Sequence, residues 1–104
     1  MLQTQFGGDA EFVRRLCETF VSTTAETLNE LRGAAAAEDR SRLRSLAHAI
    51  KGGAYSVNAQ RVATLAARIE SGSTSMPASQ LNQAVEALNL AFDEVIKHIS
   101  AELG

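Results

Sequence analysis

Two glycines follow a histidine in the stretch LAHAIKGGAYSV, residues 46–57. His48 is the side chain there that can do chemistry near neutral pH. An imidazole changes charge between about pH 5 and pH 8, and its neutral form offers a nucleophilic ring nitrogen. Arg44, Ser45, Lys51 and Gly52 are its neighbours at helical spacing. Two cations and two small residues around one ring suit an anion attached to that ring. They also let another protein approach it closely.

The apolar spacing of this segment is helical. On an ideal helix each residue advances about 100°. With Leu43 set at zero, Leu46, Ala47, Ile50, Ala54 and Val57 all fall within about 60° of it. His48 falls about 140° away, Gly52 near about 180° and Tyr55 near about 120°. These three share the outward face. Gly53 borders the core stripe, where it would let a neighbouring helix pack closely. Each glycine in a helix costs about 1 kcal/mol relative to alanine, so the pair needs a reason. A bland reading competes: exposed histidines are common, Arg44 and Lys51 can be solvated face residues, and glycines often end helices. Against the last point, Ala54 and Val57 keep the phase of Leu43, so the helix runs to about Val57.

The elements that must hold this face are helical throughout. A first helix starts after GGD, with Asp9 as a cap, and runs to about Ala36. It buries Val13, Cys17, Phe20, Thr24, Leu28 and Leu31. The second starts at Asp39, a good N-cap. The third begins near Asn58, another cap residue, and turns Val62, Leu65, Ala66 and Ile69 inward. SGSTSMP is turn chemistry. The fourth helix starts near Pro77, where a first-turn proline is tolerated, and buries Leu81, Val85, Leu88, Phe92, Val95 and Ile99. Four amphipathic helices with short links predict an all-α, antiparallel, up-down-up-down four-helix bundle. No sustained heptad pattern favours an extended coiled coil.

The totals agree. The chain has 104 residues, 45% of them hydrophobic and 21% charged, which fits a single domain over residues 1–104 with one core. A net charge of −2 builds no basic patch for nucleic acid. No apolar run has the length of a membrane span, and MLQTQFGGDAEF lacks a signal peptide's basic start and apolar stretch. Cys17 is the single cysteine, so a cytoplasmic protein without an internal disulfide is expected.

The stretch HAIKGGAYSVNAQRVATLAARIE, His48 to Glu70, resembles the signature of histidine-containing phosphotransfer (HPt) domains. That signature has a His, an aliphatic residue two on, Lys-Gly, small residues, an apolar residue ahead of the next helix, and a closing Leu-type residue with Glu. These fall on His48, Ile50, Lys51, Gly52, Val57, Ile69 and Glu70. Upstream, Gly8-Asp9, Phe20, Leu28, Leu31 and Asp39 also look like the family. Two departures stand out: Asn58 replaces the usual Gly before the third helix, and Tyr55 is bulkier than usual on the His48 face. From the short lead-in, any extra helix ahead of residue 9 is expected to be missing or reduced.

The resemblance implies that His48 is a phosphoacceptor. It would take a phosphoryl group from a receiver-domain aspartyl-phosphate and pass it to another receiver, as a phosphorelay intermediate with no autokinase activity. Lys51 and Arg44 would offset phosphate charge. Gly52, Ser45 and Tyr55 would form the docking surface, with the adjoining side of the first helix. The chain itself would bind no metal or cofactor; Mg²⁺ would sit on the partner receiver. The expected partners are response-regulator receiver domains and a hybrid histidine kinase, met by a monomer that binds neither nucleic acid nor membrane.

Two other readings stay open. One is the phosphoacceptor and dimerisation domain of a histidine kinase, although Ala49 follows His48 where such domains typically carry an acidic residue. The other is a helical interaction module that carries no phosphate. His98 has Lys97 beside it but no small-residue clearing, and reads as a solvated residue.

Overall fold

The computed structural model describes residues 10–103, and the described residues form four α-helices and no strand. They are α1 (Ala10–Ala36), α2 (Arg40–Ser56), α3 (Gln60–Gly72) and α4 (Ala78–Leu103). The cap expected at Asp9 lies outside the described residues. Helix α1 packs against α2 and α4, and α3 packs against the same two, so the helices close a ring around one core.

Apolar residues at helical spacing put each stripe inside. Val13, Cys17, Phe20, Leu28 and Leu31 of α1 meet Leu43, Ala47, Ile50 and Ala54 of α2 in one buried cluster. Val62, Ala66 and Ile69 of α3 and Leu81, Val85, Leu88 and Phe92 of α4 complete it. The Phe20 and Phe92 rings meet edge to face, 5.9 Å between centroids, a favoured aromatic geometry. Alanines take a larger share than the large-residue stripes suggest: Ala34, Ala63 and Ala91 are also buried. Leu46, Leu65 and Val95 are half-buried at the edge of the core.

The α1–α2 and α2–α3 links use the same device. Helix α1 ends with Glu38 in left-handed backbone (φ 55°). The Asp39 N–H then donates to Ala34 O at 2.9 Å and the Glu38 N–H to Ala35 O at 3.1 Å, which is a Schellman ending. Helix α2 ends likewise, with Asn58 at φ 61°. There the Ala59 N–H donates to Ala54 O and the Asn58 N–H to Tyr55 O. Asp39 also caps α2, its side chain accepting from the Arg42 N–H. Asn58 does not cap α3 as expected. Ala59 stands at that position with no side-chain cap bond, because the left-handed turn that closes α2 uses Asn58 first.

The link from α3 to α4 is pinned from a distance. One Arg40 Nη1 donates to Ser73 O at 3.1 Å and to Met76 O at 2.6 Å. Ser73 is buried and donates its hydroxyl to Glu70 O. Pro77 lies one residue ahead of α4, and its carbonyl accepts the Leu81 N–H. No helix among the described residues is long and apolar enough to cross a membrane.

Candidate functional site

Helix α2 is anchored by Leu43, Ala47, Ile50 and Ala54, each at most 2% exposed. That anchoring fixes the rotation of the helix and turns the residues between these positions outward. His48 lies on the solvent side, its side chain 68% exposed. Arg44, Ser45, Gly52 and Tyr55 are exposed on the same helix, and Lys51 is half-buried. A side chain built on Gly52 would meet nothing within 4 Å, so the surface beside His48 is open.

Gly53 differs from expectation. It does face α1, but a methyl group there would sit 3.5 Å from the Phe20 ring. That is ordinary van der Waals contact, so close packing does not demand glycine at this position.

The residue that organises the site comes from α3. Glu70 Oε2 lies 2.9 Å from His48 Nδ1, and Glu70 Oε1 lies 2.7 Å from Lys51 Nζ. Buried Ile69 beside it holds the end of α3 against the core, and the packing of α2 on α3 sets the pairing. In the sequence this glutamate stands out only as the closing residue of the signature. Its role depends on a helix–helix register that no local pattern reveals.

The chemistry of this cluster follows from its donors and acceptors. An ionised carboxylate only accepts. His48 Nδ1 therefore bears the proton and donates, and in the neutral ring the lone pair lies on Nε2. Nε2 has no hydrogen-bond partner among the described residues. The Glu70 carboxyl is held below the usual carboxylate range, first by the hydrogen bond from Lys51 and then by that from His48, against some desolvation. It remains ionised at neutral pH and keeps accepting. Lys51 has three N–H donors and commits one to Glu70. Arg44 makes no ion pair among the described residues.

A shallow groove of about 170 Å³ runs beside this face between α1 and α2, floored by Leu16, Phe20 and Ile50 and edged by Thr23, Ala49 and Gly53. His98 lies elsewhere, on α4, at a groove shared with Val57, Asn58, Arg61 and Glu94. Burial raises the Cys17 thiol above its ordinary value, which leaves it protonated and unreactive. Among the described residues no group of three or more His, Cys, Asp or Glu could hold a metal ion.

The sequence matches the Hpt domain family over residues 15–101. The chain belongs to the Hpt domain family. The match spans all of α2 and α3, hence His48, Lys51 and Glu70. Hpt domains carry out histidine phosphotransfer in phosphorelays and work with response-regulator receivers. No curated protein and no solved structure matches this Hpt domain.

Proposed function

We propose that His48 is the phosphoacceptor of this Hpt domain and shuttles a phosphoryl group between receiver-domain aspartates. The observation that carries this reading is the His48–Glu70 contact. It engages Nδ1 of a largely exposed ring, so that donation to the carboxylate puts the proton on Nδ1 and leaves the lone pair on Nε2.

In the forward step the Nε2 lone pair attacks the phosphorus of an aspartyl-phosphate. The N–P bond forms as the P–O bond to the aspartate breaks, and that electron pair returns to the carboxylate. Phosphoryl transfer of this kind depends on alignment and on charge stabilisation. A rigid helix supplies the first. Arg44 and a free N–H of Lys51 supply part of the second, and Mg²⁺ held by the receiver's own acidic residues supplies the rest.

The receiver docks over His48, Ser45, Gly52 and Tyr55 and across the groove to the adjoining side of α1. Gly52 keeps that approach open. The bundle runs up-down-up-down and antiparallel, supported by the three-residue links 37–39 and 57–59 between neighbouring helices. It acts as a monomer, in the cytoplasm, in a relay fed by a hybrid histidine kinase.

The test is incubation with a phosphorylated receiver. Wild-type chain gains an acid-labile label at His48. A chain that binds the receiver yet takes no label would be an interaction module instead.

A further inference from the structure

We propose, resting on the carrier reading of His48, that Arg40 is a positioning residue for the transfer site. By gripping two carbonyls just past α3 it fixes the last turn of that helix, from which Glu70 reaches His48 and Lys51. That last turn has little hold of its own. It runs into SGSTS, residues 71–75, and serine, threonine and glycine are weak helix formers. A helix also leaves its last four carbonyls without partners and favours a cation near them. Helix α3 has no basic residue in its last turn.

Helix α2 supplies what α3 lacks. Its first residue, Arg40, is half-buried. Two N–H bonds leave a single nitrogen, Nη1, for Ser73 O at 3.1 Å and Met76 O at 2.6 Å. Ser73 is 1% exposed, so this anchorage is shielded from water. Its hydroxyl donates in turn to Glu70 O at 3.0 Å. The contacts thus run from α2 through Arg40 and Ser73 to the backbone of Glu70.

Further along the same helix, about 12 Å from Arg40 by helical rise, His48 and Lys51 meet the Glu70 carboxylate. Helix α2 therefore holds the end of α3 at two heights. The lower grip is shielded, while the upper one is wet: the His48 side chain is 68% exposed, and water competes for its bond. A Glu70 backbone fixed from behind leaves less freedom to lose when the carboxylate closes on the ring. Removing Arg40 should then show at His48, and not only in the link that Arg40 touches.

The experiment compares full-length variants by ring ¹⁵N spectra of His48 at about pH 8, where an ordinary imidazole is neutral, and by the rate of loading with phosphoramidate. Donation to a carboxylate favours the Nδ1–H tautomer, so wild type should show it. Arg40→Met should show both tautomers and load about threefold more slowly, because fewer rings keep the Nε2 lone pair. Arg40→Lys should recover both readouts, since both bonds leave one nitrogen and an ammonium carries three donors. Ser73→Ala, which removes only the hydroxyl on Glu70 O, should shift the ring in the same direction, and it keeps the test decisive if Arg40→Met fails to fold. Val13→Ala, a loss of core near the start of α1, should lower thermal stability and leave the ring unchanged. A wild-type ring spectrum in folded Arg40→Met or in Ser73→Ala overturns the positioning role, as does a Val13→Ala spectrum that shifts equally. A wild type that never loads at His48, with the tautomer difference intact, overturns the carrier reading and leaves the hold of Arg40 on Glu70 standing.

Discussion

His48 Nδ1 and Glu70 Oε2 stand 2.9 Å apart across the α2–α3 interface, joining residues separated by 22 positions in the chain. The contact settles which ring nitrogen is available to a partner. It also ties the site to the stability of the bundle through Lys51, which shares the same carboxylate.

That link has a pH signature. Lys51 and His48 hold the folded-state Glu70 carboxyl below its ordinary range. A depressed carboxyl contributes stability that is full above the unfolded value, about 4.3, and is lost as pH falls through the lower folded value. Wild type should therefore exceed Lys51→Met in urea midpoint at neutral pH. The gap should narrow below about pH 4. A gap that stays constant down to strong acid would count against the pairing.

The two glycines of α2 separate stability from function. Neither meets an obstacle to a methyl group, so Gly52→Ala and Gly53→Ala should each raise stability by about 1 kcal/mol, on helix propensity. Gly52→Gln should fill the clearing beside His48, gaining some stability while slowing transfer. Thermal melts and transfer rates on the same three variants check this. Unchanged transfer in Gly52→Gln would make Gly52 structural only.

Two links carry left-handed residues that are not glycine. Left-handed backbone costs an ordinary residue about 1–2 kcal/mol, less for Asn than for Glu. Glu38→Gly should thus stabilise by about 1 kcal/mol, and Asn58→Gly by less. Denaturant midpoints would show the order; a loss of stability in Glu38→Gly would contradict the ending described for α1.

Arg40 holds two carbonyls of the α3–α4 link. Hydrogen bonds to a charged group are worth about 1.5–3 kcal/mol each at most in such settings. Arg40→Met, which keeps the apolar stem, should cost about 1–3 kcal/mol. Hydrogen exchange should loosen around residues 73–77 first. Protection there equal to wild type would mean that the link holds itself.

Much of this was legible along the chain because helical phase is a local property. Leu43, Ala47, Ile50 and Ala54 recur at the period of a helix, and the same arithmetic that buries them turns His48 outward. Asn58 was legible as a boundary that can take left-handed backbone in place of Gly, and it does so; that this use excludes its capping α3 was not, since one residue type serves both ends of a turn. Gly53 has the phase of a close-packing site, yet the distance to Phe20 is set by where α1 lies. Glu70 and Arg40 were beyond such reasoning for the same cause. Each acts on residues 19 or more positions away, and only the packing of one helix on another brings them together.

His48 is the proposed carrier of the phosphoryl group. The most direct measurement is labelling of wild type and His48→Gln by a phosphorylated receiver, with circular dichroism on both. Wild type should take an acid-labile label and His48→Gln none, with equal helical signal because the ring faces solvent. Wild-type-like labelling of a folded His48→Gln would contradict the account.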